Sequence, residues 1–325
     1  MTTVNRQPQF PDLQASAPST RLSLTRAGVT RSAKAIRLSH GDSERLFHAE
    51  IRCGVDLDPH QKGVHMSRFE EDLNEAIDRV VLERALLIEE LAEAVARRVV
   101  DSQGAVRSEV VITASYPIER RTPITDIATQ EMYGLIGIAA ANGAASRRMV
   151  GVSAQGMNAC PCAQELIRTR AESRLQDEGF DPAQIARIVD TVPIATHNQR
   201  ARGTLFVGLP DGRVEADELI SIVEESMSSQ IYELMKRPDE EFVVARAHSR
   251  PRFVEDSVRE MIRGVIERYP DLSDDAYVDA HQENFETIHA HDVEAARSGT
   301  VGEIRAELAG LTGHPLVSRE EWLRG

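Results

Sequence analysis

Residues 37–57, RLSHGDSERLFHAEIRCGVDL, decide how the rest of the chain is read. Leu46-Phe47-His48-Ala49-Glu50-Ile51 alternates apolar and polar side chains, the period of a half-buried strand. Gly41-Asp42 supplies the turn of a hairpin, and Pro59 with Gly63 ends it. Working outward, Ser67 with Glu70 three residues on forms a capping box, and Phe69, Leu73, Ala76 and Ile77 share one face of the helix it would start. A second helix, rich in Leu, Ala and Glu, is expected over residues 82–100. Residues 108–116 are a β run around Val110-Val111-Ile112, and strands are expected over 132–140 and 148–154, joined near Asn142-Gly143. The order is strand, strand, helix, helix, strand, strand.

The second part of the chain repeats that order with an insertion. An inserted helix is expected over residues 160–176 and a short one over 181–189. Residues 204–209 read as a strand ending at Pro210-Asp211-Gly212, residues 217–234 and 254–268 as amphipathic helices, and 276–289 as a strand region. A short helix near 302–308 and a tail close the chain. Two ββααββ-like halves give an α+β architecture, with the symmetry in the order of elements rather than in any sequence repeat. The expected organisation is a lead-in over 1–33, a first half over 34–157, a second half over 158–295 carrying the inserted Cys-Pro-Cys helix, and a C-terminal helix and tail over 296–325. The lead-in is polar, carries Pro8, Pro11 and Pro18, and lacks the apolar core of a signal peptide. Disorder is expected there to about Thr30.

The 325 residues suffice for a large core, and 41% hydrophobic with 28% charged residues describes a globular chain. Aromatic content of 4% argues against a stacking platform for single-stranded nucleic acid, and a net charge of −14 against a DNA-coating surface. No apolar run approaches the ~18 residues that cross a membrane. Lys34, Lys62 and Lys236 are the only lysines. Two sources give an acidic, arginine-rich, lysine-poor chain: a salt-loving archaeon, whose surroundings screen the self-repulsion, or a high-GC genome alone. Cys53, Cys160 and Cys162 make an odd set with one pair too close for an easy disulfide, consistent with a reducing cytoplasm.

Gly156-Met157-Asn158-Ala159-Cys160-Pro161-Cys162 and Thr196-His197-Asn198-Gln199-Arg200 carry the chemistry. Free cysteines are commonly small buried hydrophobes, but Gly156 and Pro161 favour a defined turn. A turn running into a helix N-terminus stabilises a thiolate. Two cysteines at this spacing seldom both bind one metal, so one ligand and one neighbour are expected. A lone loop histidine is usually polar surface, yet His197 sits among Asn198, Gln199, Arg200 and Arg202, and arginine forks match phosphate oxygens. On a strand, His289 and His291 would face the same side, so both would reach one site, or one would ligate while the other moves protons. The plain alternative is a solvent-exposed strand end. Glu233 is expected at the C-terminal end of a helix, where a solvated face is the simplest role. His65 and His248 lie in two further basic loops. Thiolate, imidazole and carboxylate together suit Zn(II) and Fe(II). No dinucleotide, P-loop or zinc-protease signature occurs.

Six stretches in order, Lys62-Gly63-Val64-His65-Met66-Ser67-Arg68-Phe69, Cys160-Pro161-Cys162, His197-Asn198-Gln199-Arg200, Tyr232 to Glu240, Pro251 to Asp256 and Asn284 to His291, resemble the metal-dependent GTP cyclohydrolase family. That family comprises a bacterial branch (type IB) and an archaeal branch (type IV). The resemblance spans roughly residues 35–295, and Met157-Asn158-Ala159 with the acidic character is similar to the archaeal branch. It implies the tunnelling fold, in which antiparallel sheets carrying two helices pair into barrels within a homo-oligomer, a dimer or tetramer with active sites at subunit interfaces. It implies metal ligands at Cys160, His197, Glu233 and one of His289 and His291. It also implies an Fe(II) cofactor, one per subunit, with Zn(II) or Mn(II) as substitutes.

The implied chemistry suits these residue types. Water attacks C8 of the guanine of GTP and that carbon leaves as formate, a step that a divalent metal with an open position assists at neutral pH. Cys160 would act with the metal, and His65 or His291 would shuttle protons. Arg200, Arg202, Arg250 and Arg252 would clamp the triphosphate, and Glu286 would pair with the guanine N1–H and 2-amino edge. In the archaeal branch a ribose hydroxyl then attacks the α-phosphate, expelling diphosphate and giving 7,8-dihydroneopterin 2',3'-cyclic phosphate. The bacterial branch gives dihydroneopterin triphosphate. The product enters pterin cofactor synthesis, toward methanopterin or folate. Two other classes stand beside this reading: a tunnelling-fold nitrile reductase with a cysteine nucleophile and a nicotinamide cofactor, and a non-catalytic purine-binding scaffold.

Overall fold

The computed structural model describes residues 12–40, 43–82, 87–311 and 316–325. The Gly41-Asp42 turn, residues 83–86 of the expected second helix and residues 1–11 of the lead-in lie outside them. The strands are β1 (Leu24–His40), β2 (Ser43–Leu57), β3 (Arg107–Arg121), β4 (Ala128–Asn142), β5 (Ser146–Ala159), β6 (Asn198–Leu209), β7 (Ser229–Gln230), β8 (Tyr277–Asn284) and β9 (Val293–Thr300). The helices are α1 (Met66–Leu82), α2 (Ile88–Gln103), α3 (Pro161–Asp177), α4 (Pro182–Thr191), α5 (Ala216–Ser226), α6 (Arg237–Ser249), α7 (Val254–Arg268), α8 (Val301–Leu308) and α9 (Arg319–Arg324). The sequence β5-β6-α5-α7-β8-β9 repeats β1-β2-α1-α2-β3-β4, the tandem ββααββ order of the tunnelling fold in an α+β chain. The insertions are α3 with α4, and β7 with α6.

Two compact units divide the chain, and neither ends at residue 157. One takes Met1–Ile112, Gly137–Arg147 and Gly325, the other Thr113–Ile136 and Arg148–Arg324. Strands β3, β4 and β5 each give one end to each unit.

In the first unit β1, β2, β3 and β4 are neighbours in that order. The β1–β2 hairpin is antiparallel, with Ile36 opposite Phe47 and Val29 opposite Cys53. The alternation read from the sequence holds: Phe47, Ala49 and Ile51 are buried, His48 and Glu50 exposed. Ile36, Ala49 and Ile51 of the hairpin and Phe69, Leu73 and Val95 of α1 and α2 are fully buried, the five larger side chains each contributing roughly 1.5–3 kcal/mol. The hairpin starts at Leu24, so the lead-in ends earlier than expected, and Gln14 and Ser16 accept backbone hydrogen bonds from Gly63 and Lys62. The capping box is not made. Helix α1 begins at Met66, which puts Ser67 inside the first turn, and Glu70 turns instead to Lys34 Nζ at 2.7 Å and Ser32 Oγ at 2.8 Å on β1.

In the second unit the order is β3-β4-β5-β6-β8-β9, with β7 pairing β5. The pairs β5–β6, β5–β7, β6–β8 and β8–β9 are antiparallel. Helices α5 and α7 pack on each other and on this sheet. Leu205, Leu219, Val223, Met261, Val265 and Ala280 form a fully buried core between them. A Cβ at Gly203 would come within 2.5 Å of Val223, so glycine lets α5 settle on β6. Helix α7 spans the expected residues.

Three local expectations differ here. The helix expected over 217–234 stops at Ser226, and Glu233 lies on a bend before α6, a helix the sequence did not announce. Strand β8 stops at Asn284, so His289 and His291 sit in a loop before β9. Gly156 is inside β5 rather than in a turn; its missing side chain makes room for Met227 and the Ser229 carbonyl, 2.6–3.0 Å from where a Cβ would stand. Among the described residues no helix is long and apolar enough to cross a membrane.

Candidate active site

The site lies in the second unit, where β5 and β6 end. Cys160 follows β5 directly and is the N-cap of α3, with Pro161 at the first helical position, where its missing N–H costs nothing. Its Sγ accepts the Ala163 N–H at 3.5 Å. Its backbone is tied to the strand opposite: Cys160 N donates to His197 O at 3.1 Å, and Thr196 Oγ1 donates to Cys160 O at 2.7 Å. These two bonds hold the thiol and the imidazole at the same end of the β5–β6 pair. Cys162 is exposed on the first turn of α3.

Behind this end lies a buried polar brace. Asn158, fully buried, donates through Nδ2 to Ser257 Oγ and Asn284 Oδ1, both at 3.1 Å, and accepts the Ser228 N–H at 2.9 Å. One amide thus ties β5, β8, α7 and the bend leading into β7 together. Arg252 N donates to Ala159 O at 3.0 Å, which sets the entry to α7 beside Cys160.

A cavity of about 260 Å³ opens among Cys160, His197, Gln199, Arg252, Glu255, Glu286, His289 and His291. His197 Nδ1 is 3.1 Å from Gln199 Oε1, and Gln199 Nε2 donates to Glu286 Oε1 at 3.0 Å. The Glu286 side chain is only 7% exposed, and its Oε2 has no hydrogen-bond partner and lies 3.6 Å from His197 Nδ1. The loop carrying it is closed by Glu286 N donating to Asp292 Oδ1 at 3.0 Å and Thr287 Oγ1 donating to Asn198 O at 3.2 Å. His289 meets His197 edge-on with ring centroids 6.3 Å apart and stacks on His291 at 5.3 Å. The loop therefore achieves the juxtaposition that the sequence had assigned to a strand.

The other expected residues fall elsewhere. Glu233 is exposed and does not line the cavity; its backbone N–H is held by Glu131 at 3.0 Å. Of the four arginines, Arg252 alone lines the cavity, 13% exposed, with its guanidinium on Ser226 O and Glu260. Arg250 caps α6 and bonds to Glu225 O; burial and the neighbouring Arg252 and Arg246 charges lower its pKa. Arg200 and Arg202 point away from buried Gln199, Ala201 and Gly203, because side chains alternate along β6. Arg202 pairs with Glu283 and lies over the Phe285 ring. His65 belongs to the first unit, where its Nε2 is 3.3 Å from Asp12 and its carbonyl accepts from Gln103. His248 lies in the last turn of α6, with Nδ1 on the Val244 carbonyl.

The donors fit a borderline metal in kind: a thiol and three imidazoles at one cavity, with the Nε2 of His197 turned away from its Gln199 partner. Among the described residues no three His, Cys, Asp or Glu side chains are gathered closely enough to hold an ion. Sequence reasoning missed Gln199 and Asn158 as working parts. The signal was a polar residue at an inward strand position, hidden because β6 was expected to begin at Thr204.

The family described as type I GTP cyclohydrolase folE2 matches residues 10–295. A GTP cyclohydrolase MptA of Methanococcus aeolicus is 41% identical over 92% of this chain and 99% of its own length. Proteins of the same name from Methanothermobacter thermautotrophicus and Methanosarcina barkeri are 39% and 36% identical, covering 94% and 92% of this chain and 98% and 97% of theirs. Among solved structures, the uricase of Arthrobacter globiformis overlays 85% of this chain and 93% of its own with a TM-score of 0.49 at 8% identity.

Proposed function

The chain belongs to the GTP cyclohydrolase family that matches it over residues 10–295, and from that premise we propose how its cavity turns GTP over. That it is a GTP cyclohydrolase follows from this membership and from relatives aligned over nearly their whole length. The proposed reaction opens the imidazole ring of guanine, releases formate and diphosphate, and forms 7,8-dihydroneopterin 2',3'-cyclic phosphate. The MptA name carried by the similar proteins and the Met157-Asn158-Ala159 stretch support the archaeal outcome over dihydroneopterin triphosphate.

The observation that carries the assignment to this cavity is the free Oε2 of Glu286. A buried acceptor without a donor costs roughly 1–3 kcal/mol, and the guanine N1–H and 2-amino edge supplies a donor for it. With that edge on Glu286, the rings of His289 and His291 line the same space. His291, stacked on His289 at this cavity, is the proton-transfer residue of the proposed reaction. Arg252, at the cavity wall beside the N-terminus of α7, takes the phosphate end.

Fe(II), with Zn(II) or Mn(II) as substitutes, would be held by Cys160, His197 and His289. Bound, it supplies Lewis acidity that makes water nucleophilic at neutral pH. Glu233, exposed on its bend, is the donor that a second copy of the chain would bring in a homo-oligomer. Mixing Cys160→Ala and Glu233→Ala subunits then restores turnover that neither has alone.

The test is anaerobic incubation with GTP and Fe(II), with mass spectrometry of the products beside a Cys160→Ala control. Formate with the cyclic phosphate, reduced on the order of 10⁴-fold in the variant, is expected. Dihydroneopterin triphosphate would move the chain to the bacterial outcome. No turnover with any divalent metal would overturn the proposal.

A further inference from the structure

Gln199 carries an inference that goes past its place on the cavity wall. It is 5% exposed, on an inward position of β6, and makes two side-chain hydrogen bonds of opposite sense. A carboxylate can only accept, so the Gln199 end that meets Glu286 must be the NH₂ group. The carbonyl end must then face His197, and a carbonyl can only accept. His197 Nδ1 is therefore the protonated nitrogen, and Nε2 keeps its lone pair. A direct Glu286–His197 bond does not compete, since Oε2 is 3.6 Å from Nδ1, against 3.1 Å for the amide oxygen.

We propose that Gln199 is a positioning residue that converts the fixed polarity of Glu286 into a fixed tautomer of His197, presenting Nε2 as a preformed metal donor. The inference rests on the metal reading of His197 given above. It has one further consequence. Glu286 has two oxygens with separate tasks: Oε1 sets the histidine through the amide, and Oε2 is left for the substrate. Base recognition and metal binding thereby share one carboxylate, so loss of the amide alters the metal site without removing a ligand. Partners of this kind, one bond behind a ligating histidine, typically change metal affinity by roughly 10–100-fold.

The experiment is ¹⁵N NMR of the full-length, metal-free protein with labelled histidine, at a pH where the imidazoles are neutral. Signals are assigned by comparison with His197→Ala. In the wild type the Nδ1–H tautomer of His197 is expected to dominate. In Gln199→Leu, which keeps bulk and loses the acceptor, the two tautomers mix, and Zn(II) affinity measured by chelator competition falls roughly 10–100-fold. In Gln199→Glu the acceptor for Nδ1–H is retained, so the tautomer stays fixed although the bond to Glu286 is lost. A merely structural role for Gln199 would not separate these variants. Dominance of the Nε2–H form in the wild type would overturn the inference, as would an unchanged spectrum in Gln199→Leu. The wild-type spectrum decides even if a variant does not fold. If it shows the expected tautomer and the protein takes up no metal, the metal reading fails while the relay stands.

Discussion

Glu224 and Glu286 are buried to almost the same degree in the same unit, with 6% and 7% of their side chains exposed. Their surroundings differ completely. Glu224 accepts from Tyr133 Oη at 2.6 Å, from Gln230 Nε2 at 3.1 Å and from Arg120 at 3.3 Å, so both oxygens are occupied. The same network continues through Tyr232, whose hydroxyl donates to Gln230 at 2.9 Å. Glu286 has one oxygen on Gln199 and the other without a partner. A buried carboxylate with every lone pair answered braces a fold; one with an oxygen left over at a cavity is prepared for something that arrives later. The two residues separate architecture from recognition within one unit.

The sharpest way to break this comparison is Glu224→Ala. It strands Arg120 and Tyr133 without their anion, and removing one partner of a buried pair costs about 3–5 kcal/mol. The urea midpoint should fall accordingly, while kcat/KM for GTP per folded molecule stays near wild type. If turnover collapses and the midpoint holds, Glu224 belongs to the site and the contrast is false.

Glu286→Gln should do the reverse at smaller scale. Replacing a charged hydrogen bond to the guanine edge by a neutral one removes roughly 1–1.5 kcal/mol, a loss in kcat/KM of roughly 5- to 13-fold. Stability should not fall, because the oxygen replaced has no hydrogen-bond partner to lose. A lowered urea midpoint with unchanged kinetics would make Glu286 a second brace.

What could be read of these residues from the sequence follows how far away their partners lie. Helix α7 was legible to the residue because its apolar face and first-turn acids are local. Cys160 was legible because Pro161 and the helix after it mark an N-cap within two residues. The end of α5 was not. The amphipathic pattern runs on toward Leu234, but Ser228 N donates to Asn158, seventy positions earlier in the chain, and that bond helps pull the segment into β7. The loop of His289 and His291 was likewise hidden, since the Asp292 that closes it looks like ordinary strand-end polarity. Gln199 sat in plain view as a polar residue in a basic stretch; only the position of β6 shows that it points inward beside Ala201 while Arg200 and Arg202 point out.

The smallest effect concerns pH and sharpens what kind of brace Glu224 is. Burial raises its pKa above the usual carboxylate range, and the bonds from Tyr133, Arg120 and Gln230 do not fully offset this. A folded-state pKa above the unfolded one means the native protein binds the extra proton. That contribution to stability is complete below the unfolded value and is lost as pH rises through the folded one. Asp239 behaves oppositely. Burial alone would raise its pKa, but hydrogen bonds from Thr125, Lys236 and Ile124 outweigh that and hold it below the usual range. Its contribution is present above the unfolded value and is lost as the medium becomes acid. Above about pH 4, Glu224→Gln should therefore flatten a decline that the wild type shows as the medium becomes less acid, and below about pH 4, Asp239→Asn should remove a loss that the wild type shows as the medium becomes more acid. Urea midpoints of the three proteins on both sides of that pH measure both slopes. Parallel curves for wild type and Glu224→Gln would mean that Glu224 folds with its charge fully compensated, and the brace would then be an ordinary ion pair rather than a strained one.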